Sequence, residues 1–568
     1  MVLTPMKPMR QYRVSVGKFL GLDARERCEN GAFINMQNLC GDGFPTLCVR
    51  PRRGRVADVT AGCAMTAKDA LCWVDGTTLY VNGEATDLVL SQGEKQLVSM
   101  GAYLLIWPDK KYVNTRALSD CGSLESSVSV TGAVTVSLCD GRGSDYEAYA
   151  TGTTAPAQAE SGALWLDTAD KCLRRYDGAV WQEVAEVYVK VACPGIGAGF
   201  REGDGVEISG LAALTGEHIV KLQSTNALAL TGSWDSLGTE LTEVTVSRFV
   251  PDMDFVVECG NRLWGCKYGM VNGRAVNEIY ASALGDFRNW RTFAGLSTDA
   301  YAAQRGSDGP FTGAVSFLGN PLFFKENGLE KVYPAASGAH QIVYTPCPGV
   351  ARGSSGSLQV VDSSLYYLGI GGVYRYDGAM PVKVSDALGA ARYHDGVAGG
   401  DEGHYYLSAL DGDDDAHLLV YDTARKLWHR QDDLRALAFA ALDGEVYALT
   451  ATAIWALKGT DGVVEEDIVP WMAESGEWGL DSPERKYLQR LDIRLKPVDS
   501  HIVTARVSYD EGATWELAGD VLGRGDARAC RMDLKLRRCT QVRLKLEGCG
   551  SCTIYGIDVI YNKGSDVE

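Results

Sequence analysis

A four-strand unit that recurs along the chain is the feature that most restricts its fold. Residues 357–385 (SLQVVDSSLYYLGIGGVYRYDGAMPVKVS) contain four short apolar runs separated by glycine, aspartate and serine. Runs of this length joined by such residues predict an antiparallel meander of four strands. A sheet with two apolar faces cannot stand alone, and radial packing of four-stranded sheets gives a β-propeller. We therefore interpret residues 357–385 as one propeller blade.

Other stretches repeat this design. Each has an apolar run, a tight turn and a run rich in aromatic residues: 69–83, 96–115, 255–293, 314–333, 405–422 and 436–457. We count about six or seven units of roughly 40 to 50 residues, which is blade size. A β-sandwich or barrel with similar strands is the alternative, but a recurring aromatic pair favours the propeller. The pairs expected at equivalent buried positions are Leu365 with Tyr366, Leu322 with Phe323, Leu79 with Tyr80, and Val446 with Tyr447.

Two stretches break the repeat and predict further domains. Residues 120–247 lose the aromatic pair but keep β-type patterning, which indicates an inserted β-rich domain. Residues 461–568 carry longer runs that alternate at period two, which predicts a C-terminal β-sandwich. The predicted organisation is an N-terminal arm (1–55), a propeller (56–119 and 248–460), the insertion and the sandwich. No segment has a sustained helical period, so the predicted fold class is all-β.

Composition narrows the function classes. The 568-residue chain is too long for one core, and its net charge of −18 argues against a surface that coats nucleic acid. The first residues lack a signal-peptide core and no 18-residue apolar run occurs, so we expect no membrane segment and synthesis in a cytosol. The 16 cysteines follow no small-domain framework, and we expect them to be reduced.

The familiar catalytic and ligand motifs are missing from the sequence. No nucleophile elbow, zinc-protease motif, P-loop or dinucleotide fingerprint occurs, so we predict no catalytic residues, cofactor or metal, and no enzymatic activity. Cys549 and Cys552 form a CxxC, which we interpret as a hairpin turn rather than a zinc site. The acidic run Asp411–Asp415 lacks the ligand alternation of an EF-hand and is better explained as a solvated hairpin tip.

The segment 508–515 matches S-x-D-x-G-x-T-W. It resembles the Asp-box hairpin of sialidases and related propeller glycosidases, in which the box is structural. The resemblance implies that Asp510 caps the turn, that Gly512 takes a positive φ and that Trp515 anchors the hairpin.

The densest basic cluster lies in residues 50–55 (RPRRGR) of this acidic chain. A solvated loop or a docking surface for an acidic neighbour is one interpretation, and contact with DNA phosphate is the other. The residues predicted to contact a partner or DNA are Arg50, Arg52, Arg53 and Arg55.

Several segments together resemble virion proteins of tailed bacteriophages. They are 19–23 (FLGLD), 35–39 (NMQNL), 44–53 (FPTLCVRPRR) and 287–290 (FRNW), and the last is similar to an element of tail-hub or packaged-DNA stabilisation proteins of short-tailed phages. Residues 155–181 are similar to a short module common in phage tail and fibre proteins.

The resemblance implies a virion structural protein of the tail, assembled in the host cytoplasm. Such a tail hub would dock near the portal, connect tail components such as an adaptor, fibre or needle, and help to retain packaged DNA. It would form a homo-oligomeric ring, with a hexamer favoured by the family. We expect the arm to pack on a neighbouring subunit or tail protein, or alternatively to be the outer strand that closes the first blade. The alternative function is a propeller of the tail or baseplate that binds or cleaves host-surface carbohydrate.

Overall fold

The computed structural model describes residues 10–293, 295–459, 464–480, 483–498, 501–535 and 537–563. These residues form β-strands, turns and two short 3-10 helices, Ser355–Ser357 and Asp386–Leu388. The predicted all-β fold class is therefore confirmed. A helix of the length and apolarity needed to cross a membrane does not occur in the described part of the chain.

The strands fall into groups that follow the chain. The arm supplies β1 (Gln11–Val16), β2 (Phe33–Gln37), β3 (Leu39–Cys40), β4 (Leu47–Val49) and β5 (Gly54–Asp58). Two meanders follow, made of β6 (Gly62–Lys68), β7 (Ala70–Asp75), β8 (Thr78–Val81), β9 (Glu84–Val89), β10 (Gln96–Met100), β11 (Tyr103–Trp107), β12 (Lys111–Asn114) and β13 (Ala117–Ser123).

The inserted segment contains ten strands. They are β14 (Ser126–Cys139), β15 (Tyr149–Gly152), β16 (Leu164–Asp167), β17 (Cys172–Tyr176), β18 (Trp181–Glu183), β19 (Tyr188–Ala192), β20 (Gly205–Ser209), β21 (Gly216–Ser224), β22 (Ala227–Leu230) and β23 (Gly238–Arg248). Six of these close a barrel in the order β14-β19-β22-β21-β20-β23, and β15 to β18 form a separate small sheet.

The meanders then resume with β24 (Phe255–Glu258), β25 (Leu263–Val271), β26 (Arg274–Ala281), β27 (Tyr301–Gln304), β28 (Gly313–Phe317), β29 (Asn320–Lys325), β30 (Gly328–Tyr333), β31 (Gln341–Pro346), β32 (Gln359–Val361), β33 (Ser364–Gly369), β34 (Gly372–Tyr376), β35 (Val382–Lys383), β36 (His394–Gly400), β37 (His404–Leu410), β38 (Ala416–Asp422), β39 (Leu427–Arg430), β40 (Ala438–Leu442), β41 (Glu445–Leu449) and β42 (Ala453–Ala456).

These meanders surround a common axis. The first strand of each sheet packs beside the first strand of the next, and the contacts run from β6 through β10, β24 and β28 to β36 and β40, then back to β6. The 3-10 helix Ser355–Ser357 links β28 to β36 beside β32. In the last sheet β5 pairs antiparallel with β42, so both ends of the propeller segment contribute to one blade. The predicted propeller is confirmed by this topology.

The aromatic pairs lie on the second strands of their sheets in three of the four predicted cases. Those on β29, β33 and β41 are buried, with exposures between 0% and 5%. Leu79 and Tyr80 instead lie on β8, the third strand, and the equivalent position on β7 is filled by Trp73. Strand β6 (GCAMTAK) lies next to the axis, has mostly small residues and contains no aromatic residue. The aromatic repeat in the sequence therefore does not identify it as a strand.

The barrel of the insertion is anchored at both of its connections to the propeller. Arg248 donates from Nη1 to Asp204 Oδ2 at 2.5 Å and from Nε to the backbone oxygen of Leu124. The 287–290 segment reinforces this joint. Phe287 and Trp290 pack in the core between the second and third blades, and Asn289 Oδ1 accepts a hydrogen bond from the backbone of Gly205 in the barrel.

The C-terminal strands form a two-sheet sandwich. They are β43 (Val464–Glu465), β44 (Pro470–Ser475), β45 (Lys486–Pro497), β46 (Ile502–Ser508), β47 (Glu516–Leu522), β48 (Arg528–Asp533), β49 (Arg538–Cys539), β50 (Arg543–Cys549) and β51 (Cys552–Lys563), of which β43 pairs with β5 in the propeller. One sheet has the order β3-β4-β51-β45-β48, with β1 and β49 attached, and the other has the order β2-β44-β50-β46-β47.

The strands of the arm therefore join sheets formed by later parts of the same chain. Strands β1 to β4 complete the sandwich and β5 completes the last blade. Strands β1, β2 and β3 each keep one edge without a neighbouring strand in the described part of the chain, and packing of the arm on a neighbouring subunit or tail protein stays a prediction. The alternative is an outer strand that closes the first blade, and β5 instead lies in the last blade.

Candidate functional site: a cavity between the arm and two blades

The arm encloses a cavity of about 360 Å³ where it passes over the last two blades. This volume falls in the range of small-molecule sites. Three parts of the chain line the cavity, namely the arm, the sheet of β36 to β39, and the segment after β42. The lining residues are Leu39, Cys40, Gly41, Asp42, Arg50, Pro51, Asp401, Glu402, His404, Tyr406, Val420, His429, Gln431, Leu457 and Lys458.

Asp401, in the turn between β36 and β37, contacts three side chains of the cavity. It accepts hydrogen bonds from His404 Nδ1 at 3.1 Å and Tyr406 Oη at 3.1 Å, and Lys458 Nζ lies 2.8 Å away. Burial alone would raise the pKa of Asp401, but the bonds from His404 and Lys458 outweigh it and hold the pKa below its usual value. The ionised Asp401 side chain therefore links the sheet of β36 to β39 to Lys458, which follows the last blade.

His404 lies between two carboxylates. Its Nδ1 faces Asp401, and its Nε2 lies 3.9 Å from Asp42 Oδ1 on the arm. The hydrogen bond to Asp401 raises the pKa of His404 against the opposing effect of burial, and the charges of both carboxylates add to the increase. The imidazole consequently holds its proton to higher pH than a free histidine.

His429 on β39 differs sharply from His404. It is only 4% exposed, and its ring nitrogens make no hydrogen bond to any residue that the structure describes. Burial lowers the pKa of His429 to about 4, so the ring is neutral near pH 7. A Cβ at Gly41 would lie 2.9 Å from Nε2, so only glycine lets the arm pass over this ring edge.

Two carboxylates at the cavity are largely free. The side chain of Asp42 is 59% exposed, and its one ion-pair contact within the described chain is the long one to His404. Glu402 is exposed and has no ion-pair partner among the described residues. The cavity therefore offers hydrogen-bond acceptors at its open side and a neutral imidazole in its wall.

The predicted basic cluster lies beside this cavity, and two of its four arginines are buried. The Arg50 guanidinium binds Glu466 through two hydrogen bonds of 2.7 and 2.9 Å, and its side chain is 1% exposed. Arg53 binds Asp432 through two hydrogen bonds of 2.7 and 2.9 Å, and its side chain is 4% exposed. This corrects the prediction for both residues: in an acidic chain they pair bidentately with carboxylates from other parts of the same chain, not with a partner or DNA.

The two remaining arginines of the cluster lie at the surface. Arg52 donates from Nε to the backbone oxygen of Glu466 at 2.7 Å. Arg55 forms an ion pair with Asp58, and its side chain is 42% exposed. Contact of Arg52 and Arg55 with a partner or DNA backbone stays a prediction.

Other predicted motifs occupy structural positions. Asp510 accepts hydrogen bonds from Thr514 Oγ1 and the Thr514 backbone, which lower its pKa to about 2, and Gly512 has φ of 93°. Asp411 accepts backbone hydrogen bonds within its hairpin tip. All sixteen cysteines are unpaired. Cys552 is buried in the sandwich, whereas Cys549 is exposed.

The sequence did not point to the cavity residues. Asp42 lies in the arm, whereas His404 and His429 lie more than 350 residues later, and no two of them occur at a recognisable ligand spacing. The one local signal is Gly21 and Gly41, where a side chain would meet the His429 ring and the arm must therefore pass close to it.

The fold and the cavity together define a propeller protein with a candidate small-molecule site. No protein-family model matches the chain, and no curated protein is significantly similar in sequence. Among solved structures, the chain is similar to an exo-β-1,3-galactanase from Phanerochaete chrysosporium bound to galactose, with 10% identity, a TM-score of 0.22 and coverage of 54% of this chain and 94% of that one. A glycoside hydrolase is similar with 12% identity, a TM-score of 0.21 and coverage of 54% and 96%. The tryptic core of a Bacillus thuringiensis Cry1Da toxin variant is similar with 10% identity, a TM-score of 0.15 and coverage of 45% and 51%.

These similarities correct one prediction. The sequence predicts a chain without enzymatic activity, whereas two of the similar structures are glycoside hydrolases, and the prediction is therefore withdrawn. At this level of identity the likeness concerns the fold, and the galactanase activity is a property of that protein.

Proposed function

We propose that the protein recognises carbohydrate in the cavity between the arm and the last two blades. The observation that carries this proposal is His429, a neutral imidazole in the cavity wall that is 4% exposed and lacks a hydrogen-bond partner in the described chain. The ring lines the cavity, so a ligand hydroxyl that enters the cavity would supply a hydrogen-bond partner for it.

The rest of the cavity suits the same class of ligand. Asp42 and Glu402 offer carboxylate oxygens that accept hydroxyl hydrogen bonds, while Leu39 and Leu457 provide apolar wall. A cavity of this volume with both polar groups and apolar wall can hold a small molecule. Recognition of carbohydrate is also the alternative that the sequence analysis leaves open.

Glycan-array screening followed by calorimetry tests the proposal. The variant His429→Phe keeps the ring volume but removes both nitrogens, and it should abolish or strongly weaken binding of any glycan that the wild-type protein retains. His501→Phe, at a histidine outside the cavity lining, is the matched control and should bind normally. A wild-type protein that binds no glycan, or a His429→Phe variant with wild-type affinity, would contradict the proposal.

For the biological setting we propose a tailed-phage virion, in which the protein is a tail component with other tail proteins as partners and a ring of identical subunits as its assembly. The resemblance of the 19–53 and 287–290 segments supports this setting, because these segments form the joints between the propeller and its neighbouring domains. Negative-stain images of virions labelled with an antibody against the protein test it. Absence of label from the tail would reject the virion setting and leave the carbohydrate proposal unaffected.

A further inference from the structure

The charges around the cavity are not balanced at its open side. Asp401 is neutralised by Lys458 and His404, and Arg50 is neutralised by Glu466 and Asp432. Among the described lining residues, every cationic side chain thus already contacts a carboxylate. Asp42 has only the 3.9 Å contact with His404, and Glu402 has no ion-pair partner among the described residues, so acidic charge is in excess at the entrance.

The neutral ring of His429 presents one donor nitrogen and one acceptor nitrogen, so it is compatible with a hydroxyl group of a ligand. Because burial keeps the imidazole uncharged near pH 7, one of its nitrogens can accept a hydrogen bond from a ligand. The carboxylates of Asp42 and Glu402 and the acceptor nitrogen of His429 favour a ligand with hydrogen-bond donors and a positive charge.

We propose that the cavity selects carbohydrates that carry a free, protonated amine. This inference rests on the proposed function and specifies its ligand. The ammonium group pairs with the carboxylate of Asp42 at the entrance, and a ring hydroxyl donates to His429. An N-acetylated sugar lacks the charge, and a uronic acid is repelled by Asp42 and Glu402, so both are discriminated against.

Calorimetry on the full-length protein tests this with glucosamine, glucose, N-acetylglucosamine and glucuronate at pH 7.5 and low salt. Glucosamine should bind at least about ten times more tightly than glucose, a preference that added salt reduces. Asp42→Asn should lower glucosamine affinity to that of glucose, and Glu402→Gln should reduce the preference in the same direction. Asp413→Asn, which removes an exposed carboxylate from a distant hairpin tip, should keep it.

The outcomes separate the two proposals. Binding of no sugar overturns the proposed function and this inference together. Binding of glucose, N-acetylglucosamine or glucuronate at least as tightly as glucosamine overturns the inference alone. Ethanolamine serves as an ammonium without a sugar ring, and affinity equal to that of glucosamine would show that the carbohydrate moiety is not recognised. Thermal melts of each variant identify loss of folding, and if Asp42→Asn does not fold, Glu402→Gln decides the result.

Discussion

His429 is buried without a charge partner, so acid should destabilise the fold through this one side chain. Its pKa of about 4 lies below the ordinary 6.5, so between these values the unfolded chain binds a proton that the folded chain does not. The stability contributed by the neutral ring is thus present above about pH 6.5 and is lost as the pH falls toward 4, by up to roughly 3 kcal/mol.

Urea unfolding at pH 7 and pH 4.5 measures this effect. His429→Phe should lose less stability on acidification than the wild-type protein. Its neighbour His404 acts with the opposite sign, because its raised pKa gives stability that is present below 6.5 and lost as the pH rises through the folded-state value. The other charged groups facing the pair are Asp42, Asp401, Asp422, Arg425 and Lys458. Equal acid sensitivity of wild type and variant would contradict the assignment.

The buried arginine pairs predict a large effect of one carboxylate. Asp432→Ala removes the main partner of Arg53 and one contact of Arg50, leaving buried cations with too few acceptors. The loss should be about 3 kcal/mol or more in the free energy of unfolding. Asp58→Ala breaks only the exposed pair with Arg55 and should cost less than about 1 kcal/mol. Similar urea midpoints for both variants would show that the network is not stabilising.

At the scale of elements, the second strand of each blade carries the core. Tyr366 on β33 is 3% exposed and packs against Tyr405 and Tyr421, so Tyr366→Ala should cost about 3 kcal/mol or more by leaving a cavity. Tyr333→Ala, at a side chain that is 43% exposed, should lie within the range of surface variants. Chemical denaturation of both proteins decides between these values, and equal losses would contradict the strand assignment.

The same strands show what the sequence could and could not predict. Second strands were found because they are buried on both faces and therefore rich in large apolar residues. The sequence pattern does not detect the first strand β6, so the predicted assignment of Leu79 and Tyr80 to a second strand differs from the observed third strand, β8. The cavity cannot be predicted from the sequence for a different reason. Asp42 lies near His404 because β2 and β4 pair with strands of the sandwich, and no local sequence pattern encodes that long-range pairing.

At the scale of the whole molecule, the arm completes two domains at once. Deleting residues 1–55 removes four strands from the sandwich and one from the last blade, so we expect the truncated chain to lose cooperative folding. Asp413→Asn, at an exposed hairpin tip, is the control and should melt as the wild-type protein does. Circular dichroism melts compare the two, and a truncated arm variant with the wild-type midpoint would refute the dual role.

The pairing of β1 with β51 also has a consequence for synthesis on the ribosome. Gln11 lies opposite Asn562, so β1 finds its partner only after β51 has been synthesised. Strand β4 also pairs with β51, so until then the nascent chain exposes unpaired edges of β1 and β4, which are templates for association with other chains. Termination of synthesis before β51 leaves these edges unpaired, and we expect such fragments to be bound by chaperones or degraded rather than to accumulate.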